Sequence, residues 1–148
     1  MRVAGLISGT SIDGIDVAVI DITDKIQVIA STTVPYPPEV RQAILSVSNA
    51  QTHTYTIARL NVLLGELFAK ALLATGVPLE TIELIGSHGQ TIFHEGEPID
   101  FLGHKISSTF QIGEAAIIAE RIRNLQLDNL RPIEALQLLN DLQQELKH

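Results

Sequence analysis

The 148-residue sequence is 45% hydrophobic and has no Trp, which suits a single domain with a core of Ile, Leu, Val and Ala. Its formal net charge of −7 and its ten scattered basic residues argue against a surface for nucleic acid or anionic membranes. The absence of Cys excludes disulfides and thiolate chemistry. With no signal-peptide pattern and no apolar run of about 18 residues, we expect a cytoplasmic protein that does not span a membrane.

Three β-strands are predicted at the start of the chain, at Val3–Ile7, Ile15–Ile22 and Ile26–Val34. Each is a short run rich in β-branched residues and bounded by turn formers. The turn Thr23-Asp24 joins the second strand to the third, and links this short favour antiparallel neighbours. The sheet is therefore expected to begin as an antiparallel meander.

Helices and further strands follow the meander. Pro38 suits the first turn of a helix, and an apolar stripe that ends before Gly76 and Pro78 indicates a second one. The predicted segments are a helix Pro38–Ser48, a helix Thr54–Thr75 with the stripe Ile57, Leu60, Leu64, Leu67 and Ala71, a strand Thr81–Ser87, a polar loop His94–Lys105, a strand Ile106–Ile112, a helix Gly113–Arg123 and a last helix Pro132–Lys147. This order indicates a mixed α/β domain. A Rossmann fold is disfavoured, since the order is not a strict βαβ alternation and no G-x-G-x-x-G occurs, and the Walker pattern is absent as well.

The link "SGTSIDG" between the first two strands is longer than a hairpin requires. A bound phosphate needs backbone N–H groups that point at it with no side chain in the way, and Gly9 and Gly14 permit that approach. Thr10 and Ser11 add hydroxyl donors, and Asp13 offers a carboxylate to a hydrated magnesium ion. The alternative is a glycine-rich hairpin whose hydroxyl groups are only solvated.

A second candidate segment is "GSHGQT" at Gly86–Thr91, which is expected to form a loop after a buried strand. Open α/β sheets bind ligands in loops at strand ends. His88 can donate, accept or act as a base, and Gln90 and Thr91 can bind hydroxyl groups. The alternative is a turn whose polar side chains are only solvated.

Two other features are weaker indications of a site. Gly113 lies between a predicted strand and a helix N-terminus, where anions can bind, although most such junctions are only structural. The remaining histidines lack the spacing of a metal site and are interpreted as solvated: His53, His94, His104 and His148.

Three segments, "GLISGTSIDGIDVAVIDI", "IGSHGQTIFH" and "STFQIGEAAIIAER", together resemble the anhydro-N-acetylmuramic acid kinase family in order and spacing. The resemblance covers residues 2–121. It implies an α/β fold, the ribonuclease H-like ATPase lobe of the actin, hexokinase and Hsp70-like superfamily. It also implies ATP, Mg²⁺ and 1,6-anhydro-N-acetylmuramic acid as ligands. Water opens the anhydro ring while the sugar 6-oxygen takes the γ-phosphate, which gives N-acetylmuramic acid 6-phosphate in cell-wall recycling.

The same resemblance assigns roles to residues. It puts the ATP-binding residues at Gly9, Thr10, Ser11, Ile12, Asp13, Gly14, Ile15 and Asp16, with Asp13 holding Mg²⁺ through water. It puts the sugar-binding residues at Ser87, His88, Gly89, Gln90 and Thr91.

The sequence departs from the family pattern after Arg121. The family continues with an Asp-Phe-Arg segment and with the aspartate that acts as general base toward water, and neither is found here. We therefore expect residues 1–123 to form the N-terminal lobe of a sugar kinase with the second lobe absent. Residues 124–148 are expected to be an unrelated tail with one helix, in which "DNLRPIEALQLLND" resembles the closing segment of the mismatch-repair protein MutS.

Two function classes follow from this sequence. The first is a truncated or degenerate anhydro-N-acetylmuramic acid kinase, inactive as this chain alone, because loss of a general base costs about 10²–10⁴ in rate. The second is a non-catalytic binding or scaffold module that keeps the lobe. In both cases an uncovered lobe surface predicts a homo-oligomer, and no nucleic-acid partner is expected.

Overall fold

The computed structural model describes residues 1–128, and it describes side chains through Arg123. Its elements are β1 (Arg2–Ser8), β2 (Gly14–Ile22), β3 (Ile26–Pro35), α1 (Pro38–Val47), α2 (Thr54–Leu73), β4 (Leu84–Phe101), β5 (His104–Ile112) and α3 (Ala115–Asp128), with a short 3-10 helix at Leu79–Thr81 before β4. The first three strands and the first two helices lie within a few residues of their predicted positions.

The strands form one mixed sheet in the order β3-β2-β1-β4-β5. β1 pairs antiparallel with β2, and β2 pairs antiparallel with β3, which confirms the predicted meander. β1 and β4 are parallel, so the chain must cross over between them, and α1 and α2 lie in that crossover. The predicted mixed α/β architecture is therefore confirmed.

Helices cover one face of this sheet. The buried residues of β1 and β2 alternate along the strands, as expected for a sheet with one covered face: Ala4, Leu6, Ser8, Ile15, Val17 and Val19. α2 closes this face with Leu64, Phe68 and Leu72, which are fully buried. α1 and α3 both pack against α2.

The opposite face is not covered by any element within residues 1–128. Strand pairing places Ser31, Ala18, Gly5 and Gly86 in one row across β3, β2, β1 and β4, and all four residues are exposed. A Cβ atom added to either glycine would meet nothing within 4 Å. This row of small residues forms the floor of an open groove.

The prediction of a polar loop at His94–Lys105 is wrong, because this segment forms the outer half of a hairpin between β4 and β5. Leu102 and Gly103 have φ angles of 52° and 83°, as a two-residue type I′ turn requires. Gly96 and Pro98 lie where the ladder is irregular, so a bulge accommodates them without ending the strand.

α3 runs through Asp128, past the domain boundary expected after Arg123, and that boundary stays a prediction. The predicted last helix, Pro132–Lys147, lies outside the described residues, as does nearly all of the segment that resembles MutS. Within residues 1–128 no helix combines the length and the apolar character needed to cross a membrane.

Candidate functional site

The β1–β2 loop, from Gly9 to Asp13, turns the carbonyl groups at its two ends toward the protein. The Gly9 carbonyl accepts hydrogen bonds from Gln90 Nε2 at 3.3 Å and from the Ile12 N–H at 3.2 Å. The Asp13 carbonyl accepts one from the Tyr36 N–H at 3.0 Å. Both ends of the loop are therefore tied to the protein through their acceptors.

Three backbone N–H groups of the same loop have no acceptor within the described residues. Among the backbone groups of residues 1–128 and the side chains through Arg123, none accepts a hydrogen bond from the backbone N–H of Thr10, Ser11 or Asp13, and all three residues are exposed. Backbone N–H groups are strong donors that proteins normally pair. Neighbouring unpaired N–H groups form a concave donor set of the kind that binds anions. These exposed donors suit a phosphate and are equally open to water, so the phosphate site stays a prediction beside the solvated hairpin.

Ile12 keeps the loop in an unusual conformation. Its φ of 52° lies in the left-handed region, which a β-branched residue rarely adopts and which costs about 1–3 kcal/mol. Its side chain is only 5% exposed. Burial of such a side chain is worth about 1.5–3 kcal/mol, so it offsets the strain. Packing of a large residue thus fixes a backbone shape that is usually left to glycine.

The two glycines that flank the loop serve different needs. A Cβ at Gly14 would lie 2.5 Å from the Val34 carbonyl oxygen and 3.0 Å from Pro35 Cα, so β3 leaves no room for a side chain. A Cβ at Gly9 would approach only Ser11 Oγ, at 3.8 Å. The fold therefore requires glycine at position 14, whereas the space beside Gly9 is open to a group from outside.

Asp13 is the candidate magnesium ligand. Its carboxylate is exposed, and Ser11 Oγ donates a hydrogen bond to Oδ1 at 2.9 Å. The part of the chain that the structure describes has no cluster of three or more His, Cys, Asp or Glu residues that could hold a metal ion. Mg²⁺ is commonly held by one or two carboxylates together with substrate phosphates. Asp13 fits this mode of binding.

The segment Gly86–Thr91 is not the loop that the sequence predicted, because it lies inside β4. The ladder to β1 shifts register between Leu6 and Ile7, and Gly89 at this point has a φ of 75°. The shift is a bulge with His88 as the extra residue. The glycines that suggested a turn therefore mark an irregular strand.

The five residues expected at the sugar lie in different environments. Ser87 and His88 are exposed, and Thr91 is half-buried. Gly89 is buried, and Gln90 is 0% exposed with its amide bonded to the protein. The segment is a strand and not a loop, and the sugar-binding role of these residues stays a prediction.

A groove of about 690 Å³ on the uncovered sheet face brings Asp16 of β2 and His88 of β4 together. Thr33 Oγ1 donates a hydrogen bond to Asp16 Oδ1 at 2.6 Å. The open donors of the β1–β2 loop do not line this groove. The candidate site thus has two parts, the donor loop beyond β1 and the groove on the open face.

Tyr36 is a feature of the site that sequence reasoning missed. It is 6% exposed, and its hydroxyl makes no hydrogen bond of acceptable geometry within the described residues. Burial raises the pKa of Tyr36 to about 12, and the nearby Ser8 hydroxyl offsets only part of that rise. The alternating pattern of β1 could have placed Ser8 on the inner face, whereas nothing in the sequence marks Tyr36.

N–H groups at the Gly113 junction donate hydrogen bonds within the protein. The Gly113 N–H donates to Asn61 Oδ1 at 2.8 Å, and the Glu114 N–H donates to the Asn61 carbonyl at 3.1 Å. The Glu114 carboxylate accepts hydrogen bonds from Asn61 Nδ2 and from the Ala116 N–H. Donors at the start of α3 are therefore occupied, and the junction is structural.

Comparison with known proteins gives one consistent result. A family model described as anhydro-N-acetylmuramic acid kinase matches residues 1–133. A curated relative of that name from Caldanaerobacter subterraneus is 44% identical over 129 residues, which cover 80% of this chain and 33% of the relative. Another, from Bacillus cereus, is 42% identical over 146 residues, which cover 90% of this chain and 37% of the relative. The chain thus spans about a third of the length of these curated relatives.

Proposed function

Because the chain belongs to the anhydro-N-acetylmuramic acid kinase family, we propose that Gly9–Asp16 binds the phosphates of ATP in that family's reaction. The observation that carries this proposal is the set of exposed N–H groups at Thr10, Ser11 and Asp13 that have no acceptor in the described part of the chain. These donors lie in a loop whose ends are anchored on the protein side, so a phosphate can approach them from the open side. Gly14 and Ile15 are buried and support the loop from below.

Each exposed loop residue has a separate task in this proposal. Thr10 and Ser11 offer hydroxyl and N–H donors to the phosphate oxygens. Asp13 would hold Mg²⁺ through water. When bound, the ion neutralises the charge that develops on the phosphoryl group during transfer.

We assign the amino sugar to the groove, which the exposed His88 lines. Ser87 is exposed too, but it pairs with the inward-facing Leu6 and does not line the groove. In the proposed reaction water opens the anhydro ring and the sugar 6-oxygen takes the γ-phosphate. The product, N-acetylmuramic acid 6-phosphate, belongs to cytoplasmic recycling of peptidoglycan. Asp16 lines the groove, but its carboxylate is already bonded to Thr33, and we do not assign the general base to it.

We expect this chain alone to bind nucleotide weakly and to show no turnover. It spans about a third of its relatives' length, and substrate positioning with exclusion of water can supply about 7–11 kcal/mol of catalysis. A non-catalytic binding or scaffold module with an intact donor loop is the second candidate.

Titration of the full chain by NMR tests the proposal. Mg-ATP and Mg-triphosphate should both shift the amide resonances of Thr10, Ser11 and Asp13, with millimolar affinity, or roughly 4 kcal/mol of binding free energy. Adenosine should leave them unchanged, and the amide of Gly103, in the hairpin turn, should not respond to any of the three. If ATP shifts no loop amide at concentrations of tens of millimolar, the proposed phosphate site is wrong.

A kinase assay separates the two candidate functions. ATP and 1,6-anhydro-N-acetylmuramic acid should give no N-acetylmuramic acid 6-phosphate with this chain alone. Formation of that product above the enzyme-free control would reject the binding-module alternative and the expectation of inactivity.

We also propose that the chain forms a homo-oligomer through exposed apolar residues of its sheet that do not line the groove. Val28 and Leu84 are exposed hydrophobic residues on strands of this sheet, at 62% and 53%. Exposed apolar patches of more than a few hundred Å² usually mark interfaces. Light scattering should give a mass above the 16.1 kDa of one chain, and a monomer at high concentration would refute this expectation.

A further inference from the structure

We propose that Gln90 and Ser8 form a buried clamp that sets the shape of the β1–β2 loop. Gln90 is then a positioning residue for the ATP phosphates and does not contact the sugar. Only the identity of the ligand rests on the proposed function, because the clamp itself is a property of this chain.

The Gln90 side chain has no free hydrogen-bonding group to offer a ligand. It is 0% exposed, and its Oε1 accepts a hydrogen bond from Ser8 Oγ at 2.6 Å. Its Nε2 donates to the carbonyl groups of Gly9 at 3.3 Å and Thr91 at 3.0 Å. Both amide protons are therefore used within the protein.

Ser8 extends the clamp to the far end of the loop. Its Oγ lies 2.7 Å from the Gly14 carbonyl oxygen as well as 2.6 Å from Gln90 Oε1. A hydroxyl has one proton, so Ser8 shares it between these two acceptors. The pair thus connects the Gly9 carbonyl, where the loop begins, with the Gly14 carbonyl, just after it ends. Buried hydrogen bonds that connect the two ends of a loop in this way restrict its shape.

The bulge in β4 explains why Gln90 faces inward. Ile85 faces the covered side, where it packs against the core. In a regular strand residue 90 would face the side opposite to residue 85, because successive side chains alternate. One extra residue restores Gln90 to the inner side, where it pairs with Ser8 in the ladder. A Cβ at Gly89 would lie 2.6 Å from the Ile112 carbonyl oxygen, so the bulge requires glycine there.

Hydrogen exchange in the full chain tests the clamp without a ligand. Two amides report on it, since the Ile12 N–H donates to the Gly9 carbonyl and the Tyr36 N–H donates to the Asp13 carbonyl. In Gln90→Leu both should exchange about tenfold faster, a change of about 1.4 kcal/mol. Amides of Leu64 and Phe68 in the buried part of α2 should keep their rates. Gln27→Leu, on the exposed surface of β3, is the matched control and should change neither set.

A second variant and a titration complete the experiment. Ser8→Ala is a smaller change and should accelerate hydrogen exchange of the same two amides. It replaces Gln90→Leu in the experiment if that variant does not fold. Combining both substitutions should add little to the larger single effect, because the two residues act as one unit. Mg-ATP, the probe for the ligand, should bind about tenfold more weakly to each variant than to the wild type.

Three results would overturn the clamp. They are unchanged exchange of the Ile12 amide, equal acceleration in α2, and additive effects of the two substitutions. A wild-type chain that does not bind ATP would reject the proposed function alone, since the exchange measurements still decide the clamp.

Discussion

Alanine substitutions at Gly9 and Gly14 should distinguish a glycine that the fold requires from one that ligand binding requires. At Gly14 the new Cβ would lie 2.5 Å from the Val34 carbonyl oxygen, where ordinary contact begins near 3.4 Å. Both close neighbours are backbone atoms of β3, so the strands must move apart. Overpacking of this kind costs about 1–3 kcal/mol. For a chain of about 150 residues each kcal/mol lowers Tm by about 2–4 °C.

At Gly9 the new Cβ meets only Ser11 Oγ, at 3.8 Å. Gly9→Ala should therefore keep the wild-type Tm within about 2 °C, which corresponds to less than about 1 kcal/mol. It should nevertheless weaken ATP binding about tenfold or more, roughly 1.4 kcal/mol, because the methyl group fills the space that a phosphate needs.

Thermal unfolding followed by circular dichroism, with NMR titration of Mg-ATP, measures both effects. Gly103→Ala, in the hairpin turn away from the loop, is the control. Gly103 has a positive φ and no neighbour within 4 Å, so alanine there should strain the backbone and lower Tm without altering ATP binding. If Gly9→Ala binds ATP like the wild type, no ligand approaches the loop at this residue and the proposed orientation is wrong. A wild-type Tm for Gly14→Ala would contradict the packing against β3.

Three further outcomes are expected. Asp13→Asn should keep the wild-type Tm and lose only the Mg²⁺-dependent part of ATP binding, as titrations with and without Mg²⁺ will measure. The hydrogen bond from Arg2 holds the pKa of Asp21 below its usual value, so this pair stabilises the fold above about pH 4 and loses that effect as the pH falls through the lowered pKa. The Tm deficit of Arg2→Met should accordingly shrink in acid, and a deficit independent of pH would exclude the ion pair as its cause. Ile12→Gly should be less stable to denaturant than the wild type. Relief of strain returns about 1–3 kcal/mol, but the lost burial of about 1.5–3 kcal/mol is increased by the cavity left behind and by the entropic cost of glycine, about 0.5–1 kcal/mol.

The sequence predicted the elements whose signals are local. β1 and β2 show period-two burial, and α2 carries its apolar stripe, so their positions and the loop between the strands could be inferred. The segment Gly86–Thr91 could not, because glycine marks both turns and bulges. Whether β4 continues through it depends on pairing with β1, which is distant in the chain. The burial of Gln90 has the same origin, since glutamine is mostly exposed in proteins.

The clamp, the strained Ile12 and the open donors have a common physical consequence. Fixing the backbone of one residue costs about 1–2 kcal/mol, so a mobile loop would lose much of the energy of phosphate binding to its own ordering. In this chain the Gly9 and Asp13 carbonyls are already bonded and the Ile12 side chain is already buried. The loop is therefore already ordered in the free protein, and preorganisation of this kind raises affinity without a new contact. We therefore expect the proposed site to bind phosphates measurably, and the Ile12 amide, which donates to the Gly9 carbonyl, should be protected from hydrogen exchange when ATP is absent.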